Sequence, residues 1–529
     1  MSRGGVRAQQ GAVLGLALGW IVTLALAGLA LEGVMRLCGL RPIVTINEPD
    51  RELGWVKRRD CTTRKVTSEF DITFAVNRLG LRGDADLTRE KPAGTQRVLF
   101  VGDSFVLGYA VDRRDHFVDL VGQALTADGR SIQALNGGTE GYSSDQEVLW
   151  LQKEGLSFAP DVVVACFYQN DVFWNGQRSY TGLPKPRFAP DGTLEPQTGD
   201  APPPRGWFAT HSAIGGLLDN LAASRRYGAQ LQWRSGPVVL EHDQVVVLKT
   251  PPNELADCWK RTEACFRKLK EVCDSAGTKL LFVAIPAREE IEPGAKESYA
   301  QATGLAAAQI DPITPAEKAL STARRQSLAV LDPRPALAAA AKEGTKLYFT
   351  KDWHVNPAGS RVLGRAIYEK LRDPQLLGGG TKAAGLAVFT TQPSRSRPTW
   401  PFVVAAIWLA LSTIYAISYR DESKAAAFLK VGAMVGSVVL IVVGFGALVR
   451  LLGPDVGRWT ALAIVVAVVG YVGWKMLPKL TIIREVYVAF LRNGQWYMIP
   501  LLVAMLSIGG LLVVASSSPF IAPFIYTLF

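Results

Sequence analysis

The chain has 529 residues, 58 Lys and Arg against 47 Asp and Glu (formal charge +11), and 48% hydrophobic residues. That length exceeds one ordinary domain, so at least two structural units are expected. The positive charge comes without a dense Lys/Arg stripe and without a zinc-finger or RNA-binding signature, so nucleic acid is excluded as the expected partner.

The basic excess sits beside apolar stretches instead, where cytoplasmic loops collect Lys and Arg. Arg3 and Arg7 precede an apolar run at 12–31 that is long enough to cross a bilayer. Ala25-Leu26-Ala27 resembles a signal-peptidase site, but the apolar run continues to Leu31, and an uncleaved anchor over 1–36 is expected. A soluble region follows at 45–374, then a Gly- and Pro-containing linker at 375–399. Four further spans are expected in 400–529, at 402–419, 429–449, 459–476 and 497–515. Arg420, Lys424 and Lys430 flank the first loop, and Lys475, Lys479, Arg484 and Arg492 lie in the third. Together they place the N-terminus inside and residues from about 40 to 395 outside the cytoplasm, with Arg450 and Arg458 opposing weakly.

Within the soluble region strand and helix signals alternate. Apolar runs at 97–101, 162–167, 280–285 and 328–331 read as buried strands, and the patterns at 254–276 and 357–371 as helices. Strands separated by helices predict a parallel sheet covered on both faces. Residues 176–239, rich in Pro, Gly, Trp and Arg, break the rhythm and read as an insertion that caps the active site. Of the six cysteines, none forms a CxxC pair, so neither a zinc site nor any other metal or cofactor is expected. Cys258, Cys265 and Cys273 share the 254–276 helix, about 10–12 Å apart along its axis, too far for a bridge between them. A bridge from one of them to Cys61 stays open, and Cys166 reads as a small core residue.

Four segments carry chemistry. The strand at 97–101 runs into Gly102-Asp103-Ser104, which puts a serine where ligand crevices form and a helix N-terminus favours a developing anion. Asn136-Gly137-Gly138-Thr139-Glu140-Gly141 follows the next strand candidate, and Tyr168-Gln169-Asn170-Asp171 closes the strand at 162–167. Lys351-Asp352-Trp353-His354 precedes the last helix. A serine nucleophile needs a base within hydrogen-bond reach, an acceptor to orient that base, and donors for the tetrahedral intermediate. All four segments lie at strand ends or helix starts and can converge on one crevice. Of the four histidines, His354 alone lies in such a segment; His116 reads as structural, and His211 and His242 as surface residues. Tyr109 and Trp174 read as pocket-lining or packing residues, and Arg288-Glu289-Glu290 as a solvated loop.

In this order the four segments resemble the sequence blocks of the SGNH, or GDSL-like, hydrolase family, over roughly 53–371. Asn77-Arg78-Leu79-Gly80-Leu81-Arg82 is similar to a lead-in of its bacterial membrane-linked members. The resemblance implies a flavodoxin-like three-layer α/β/α domain with acyl-ester chemistry. In it Ser104 is the nucleophile, His354 the general base and Asp352 its orienting acid; the Ser104 and Gly141 N–H groups and the Asn170 amide form the oxyanion hole. The family often places its acid three residues before the histidine. Here that position holds Lys351, and Asp352 stands two before, a spacing of some polysaccharide-modifying branches. Asp171 and Asp103 are the reserve candidates.

The last fifty or so residues resemble a small bacterial membrane family of unknown function, and the pair of spans before them another small membrane family. The expectation is therefore a multi-pass protein of the bacterial inner membrane, its catalytic domain on the periplasmic or extracellular side. It is expected to meet membrane lipid, an acyl-ester or glycan substrate, and membrane-protein partners through its C-terminal helices. The competing expectation is a non-catalytic structural or glycan-binding subunit of a membrane complex.

Overall fold

The computed structural model describes residues 46–390 apart from 67–68, 85, 181, 200–204, 228–231, 236–237 and 379–383, together with isolated positions at 28, 32 and between 405 and 436. The chain divides into two compact units, and the fold below is that of the unit containing Val34–Pro393. The five expected membrane spans fall outside the described residues, those isolated positions aside. Among the described residues no helix is long and apolar enough to cross a membrane.

Two antiparallel hairpins come first: β1 (Asn47–Asp50) with β2 (Gly54–Lys57), and β3 (Cys61–Val66) with β4 (Asp71–Val76). The central sheet follows, with β5 (Gln96–Val101), β6 (Ile132–Asn136), β7 (Val162–Phe167), β8 (Lys279–Ala284) and β9 (Ala329–Leu331). Its spatial order is β9-β8-β7-β5-β6, and every neighbouring pair is parallel. Counted along the chain this is the order 2-1-3-4-5 of flavodoxin-like sheets. The chain leaves β5 toward one edge and returns to β7 on the other side. The switch point, where such sheets open a crevice at their C-terminal ends, lies between β5 and β7.

Alternation along the strands sorts the core into two faces. Val98, Phe100, Val164, Cys166, Leu281 and Val283 face one layer, packed under α2 (Phe117–Ala127), α7 (Arg334–Lys342) and α8 (Pro357–Leu371). Leu99, Val101, Val163 and Ala165 face the other, beneath α3 (Ser144–Lys153) and α5 (Glu254–Ser275), while Phe282 and Ala284 meet α6 (Ile313–Arg325). The strands and both long helices agree with the sequence reading to within a residue, since a fully apolar run between helices has only the centre of such a sandwich to occupy.

Within 176–239, read as an insertion, Lys185 is fully buried with its Nζ 2.6 Å from Asp145 Oδ2, and Phe188 packs into the core of the α3 face. Two expectations are corrected. The expected linker joins the domain in part. A helix at Leu386–Thr390 brings Phe389 against Tyr368, and Gly385 N donates to Asp128 Oδ1 at 3.0 Å. Arg288-Glu289-Glu290 is the start of a short helix, Arg288–Ile291, whose Glu290 carboxylate is buried and accepts from Ala287 N at 2.8 Å. The thiols of Cys61, Cys166, Cys258, Cys265 and Cys273 are all free and buried.

Arg97, fully buried in β5, ties the sheet to the loop that leads into it. Its guanidinium donates to the carbonyls of Thr88, Arg89, Glu90 and Phe158 at 2.7–3.0 Å and to Gln133 Oε1 at 2.8 Å. Each buried carbonyl left without a donor costs about 1–3 kcal/mol. Arg97→Leu is expected to lower stability by about 3 kcal/mol or more, read from denaturant unfolding of the purified chain. Arg97→Lys should recover only part of this, because one ammonium cannot reach acceptors spread around a planar fork.

Candidate active site

β5 ends at Val101, and Gly102 and Asp103 turn the chain into the single-turn helix α1 (Ser104–Leu107). Asp103 caps that turn, its Oδ1 accepting from Phe105 N at 2.8 Å. The far end of the turn is held by Arg82, buried, which donates to the carbonyls of Leu107, Gly108 and Val111 at 2.7, 2.6 and 2.8 Å. This assigns a role to the lead-in around 77–82: Asn77 Oδ1 accepts from Leu79 N and Leu81 N and folds the segment into the shape that aims Arg82 at the serine turn.

The Asp352-Trp353-His354 segment crosses the sequence distance to reach that serine. His354 Nε2 lies 2.8 Å from Ser104 Oγ, and His354 Nδ1 lies 2.6 Å from Asp352 Oδ1. The two-residue spacing works because Trp353 between them adopts φ +70°. Few L-residues other than Asn and Asp take that region, and for a bulky one it costs on the order of 1–3 kcal/mol. The imidazole also packs at a tilt against two rings, 4.6 Å from Phe105 and 5.2 Å from Tyr109 by centroids. Behind it, Asn356 caps α8 through Ala358 N and Gly359 N.

The loop after β6 passes against the serine turn. At Gly138 a Cβ would lie 2.3 Å from Leu107 N, so only glycine allows that approach. Gly141 has φ +74°, and a Cβ there would lie 2.5 Å from the Tyr180 ring. Lys57, buried, secures the loop from β2, donating to Gly137 O, Gly138 O and Thr139 Oγ1 at 3.0, 2.7 and 2.9 Å. Trp55 Nε1 donates to Glu140 O at 2.9 Å. Asn170 stands at the end of β7 and start of α4 (Asp171–Trp174); its Oδ1 is buried and makes no hydrogen bond. Thus the sheet edge carries all five sequence-selected positions, and Ser104, His354 and Asp352 make one continuous hydrogen-bonded chain.

The two reserve acids are engaged elsewhere: Asp171 accepts from the Ser144 hydroxyl at 2.9 Å, and Asp103 serves as the cap. Asp352 titrates below the ordinary carboxylate value; burial opposes this, but the hydrogen bond and charge of His354 and the charge of Lys65 outweigh it. Burial pushes Asp103 up to about 6 and Asp171 and Glu147 well above the ordinary range, so an acidic layer that resists ionisation lies beneath the serine. Two charged residues near the triad carry no sequence signal of their own. Lys65, brought down to about 8 by burial, lies over the Tyr109 ring at 3.0 Å from its centroid, and Glu140, raised by burial, shares its field. Both sit in otherwise unremarkable stretches, one on a hairpin and one in a loop, and only folding brings them to His354.

Trp174 is buried, edge-on to Tyr180 at 4.8 Å, and so packs the loop after β7 rather than lining an open pocket. His116 is buried with Nε2 3.0 Å from Phe105 O, and burial lowers it to about 3; it supports the serine turn as an uncharged ring. His211 is an exposed residue on the helix Trp207–His211, and nothing is described of the His242 side chain. Among the described residues no cluster of His, Cys, Asp and Glu could hold a metal ion.

Residues 248–397 match the family model of an SGNH hydrolase-like domain, acetyltransferase AlgX. This segment is SGNH hydrolase-like. It contains Asp352 and His354 but not Ser104, Gly141 or Asn170. Residues 480–529 match a family of unknown function, DUF5989. No curated relative matches the chain. Among solved structures, the acetyl xylan esterase AlAXEase is 15% identical, covering 52% of this chain and 98% of its own, with TM-score 0.30. Axe2, an acetylxylan esterase from Geobacillus stearothermophilus, is 13% identical over 53% of this chain and 96% of its own, TM-score 0.28. A lipase/acylhydrolase from Enterococcus faecalis is 14% identical over 52% and 95%, TM-score 0.27.

The raised Asp103 has a measurable consequence. A carboxyl that titrates at about 6 in the fold and at 3.8 unfolded binds more protons in the folded state across that window, so its contribution to stability falls as pH rises through it. Asp103→Asn is expected to flatten this part of the curve of melting temperature against pH. A slope unchanged between the two values would mean that Asp103 is charged throughout.

Proposed function

We propose that the domain is a serine esterase or acyltransferase acting on acyl esters, such as acetyl esters, of a glycan or lipid-linked glycan. The observation that carries this reading is the imidazole of His354 set between Ser104 Oγ at 2.8 Å and Asp352 Oδ1 at 2.6 Å. As Ser104 Oγ attacks the ester carbonyl carbon, its proton passes to His354 Nε2, and Asp352 stabilises the imidazolium. The Ser104 and Gly141 N–H groups and the Asn170 carboxamide receive the oxyanion, each preorganised donor contributing about 3 kcal/mol. Collapse of the intermediate breaks the ester C–O bond, and the leaving alkoxide takes the proton from His354. Water or a sugar hydroxyl then gives its proton to His354 and attacks the acyl-serine; the free acid or the new ester leaves, and Ser104 regains its hydrogen.

The match of residues 248–397 to an SGNH hydrolase-like domain described as an acetyltransferase supports acetyl as the acyl group. The apolar spans at 12–31 and 402–419 and the Lys/Arg pattern around them support an extracytoplasmic site tethered to the bacterial inner membrane. Such a position suits a substrate assembled at or near the bilayer, with lipid and membrane proteins as neighbours of the C-terminal spans.

The test is covalent labelling of the detergent-solubilised chain with a fluorophosphonate probe. Wild type should label, Ser104→Ala should not, and His354→Ala and Asp352→Asn should react slower by roughly three to four orders of magnitude. Absence of wild-type labelling, under conditions where a known serine hydrolase reacts, would favour a non-catalytic glycan-binding or structural subunit. With labelling established, acetate release from an acetylated glycan indicates hydrolysis, and acetyl appearing on an added glycan indicates transfer.

A further inference from the structure

Glu69, at the turn of the β3–β4 hairpin, sends its carboxylate to the loop that carries the acid and the base. Oε1 accepts from Thr350 N at 2.7 Å, and Oε2 accepts from Lys351 N at 2.9 Å and Asp352 N at 3.0 Å. Three successive backbone N–H groups thus converge on one anion, the arrangement by which a turn concentrates positive partial charge. The loop is otherwise a tight reversal: Tyr348 pairs with Val355, and Phe349 N donates to His354 O at 2.9 Å. In such a reversal the N–H groups at the tip have no partner within the loop. The residue that follows the three donors is Trp353, at φ +70°.

We propose that Glu69 is a positioning residue for the reaction: by binding the N–H groups of 350–352 it holds Trp353 in the left-handed conformation, and so keeps Asp352 on His354 Nδ1. This rests on the reading of Ser104, His354 and Asp352 as the catalytic set. Other contacts hold the residues before Lys351: Glu292 accepts from Leu347 N and Tyr348 N at 2.8 and 3.1 Å, and Arg288 donates to Thr350 O at 3.0 Å. Glu69 reaches further, to the N–H of Asp352 itself. It acts through Asp352 and touches neither Ser104 nor His354 in the structure, so its removal leaves every reacting group in place chemically and disturbs only their geometry. The hairpin at 61–76 then counts as a part of the active site rather than a segment joining it to the N-terminus.

The experiment is a double-mutant cycle on the full chain in detergent, reading the rate of fluorophosphonate labelling at Ser104 and, alongside, the melting temperature. Glu69→Ala should slow labelling about a hundredfold, the scale of an ångström-sized misplacement of a catalytic group. Glu69→Gln, which keeps one acceptor oxygen, should recover part of that loss. In a Trp353→Gly background, where glycine takes positive φ freely, the effect of Glu69→Ala should shrink to less than about tenfold. The packing of Trp353 on Tyr299 is lost in both members of that comparison and cancels. Labelling of Glu69→Ala at the wild-type rate overturns the proposal, and so does an equal loss in both backgrounds, which would mark Glu69 as a general support of the fold. If Glu69→Ala fails to fold, the Glu69→Gln comparison in the two backgrounds decides in the same way. Failure of the underlying reading is separately visible: wild type itself would not label, and the role of Glu69 would fall with it.

Discussion

Everything at the site depends on one imidazole accommodated between a hydroxyl and a carboxylate that stand in different parts of the fold. The carboxylate is only two residues from the imidazole in sequence, and the chain reaches this spacing by placing a tryptophan in the left-handed region. That conformation is unfavourable in isolation, so it must be imposed from outside the loop. The proposed means is Glu69, whose carboxylate binds the N–H groups of 350–352, while Glu292 and Arg288 hold Leu347, Tyr348 and Thr350.

The same device recurs at three of the four loops that meet at the sheet edge. Arg82 grips the carbonyls at the end of the serine turn, Lys57 those of the loop before Gly141, and Glu69 the N–H groups before His354. All three residues come from the stretch of 26 positions between Lys57 and Arg82, ahead of the first strand of the central sheet. Active-site loops have few backbone partners of their own, and a buried polar group without a partner is costly. A charged side chain that reaches several orphan groups at once satisfies them and removes conformational freedom from the loop. The N-terminal hairpins are thus the rear support of the site, while the parallel sheet is its floor.

The floor has its own electrostatic character. Asp103, Glu147 and Asp171 lie buried beneath the serine; desolvation raises all three above the usual carboxylate range, and the charge of Asp103 adds to it at Glu147 and Asp171. Asp352, near the surface of the cleft, is drawn the other way by His354 and Lys65. The site therefore separates a charged acid, which can stabilise an imidazolium, from acids that serve as hydrogen-bonding scaffold: burial acts on all of them, and only at Asp352 do the hydrogen bond and charge of His354 and the charge of Lys65 outweigh it.

Periodicity was enough to place β5, β7, β8, β9, α5 and α8, because an apolar run between two helical patterns has one solution in a covered parallel sheet. The motifs at the strand ends were legible for the same reason: Gly102-Asp103-Ser104, Asn170 and His354 each punctuate a strong local signal. The sequence alone thus determined a three-layer parallel-sheet domain and the positions that meet at its switch point. It left open which aspartate faces His354, since Asp103, Asp171 and Asp352 differ only in where the fold buries them. It did not reveal the hairpins at 46–76, the burial of Glu290 and Lys185, or the packing of residues 384–390 on α2 and α8, because charged and small residues carry no periodic signal when their partners lie outside the local helix or strand repeat, from 40 positions away for Lys185 and Asp145 to 281 for Glu69 and Thr350. Those contacts are made by side chains to distant backbone and to single distant charges. Their existence depends on distances that only the closed tertiary structure brings within 3 Å, and that is where the geometry of the Ser104–His354–Asp352 chain was decided.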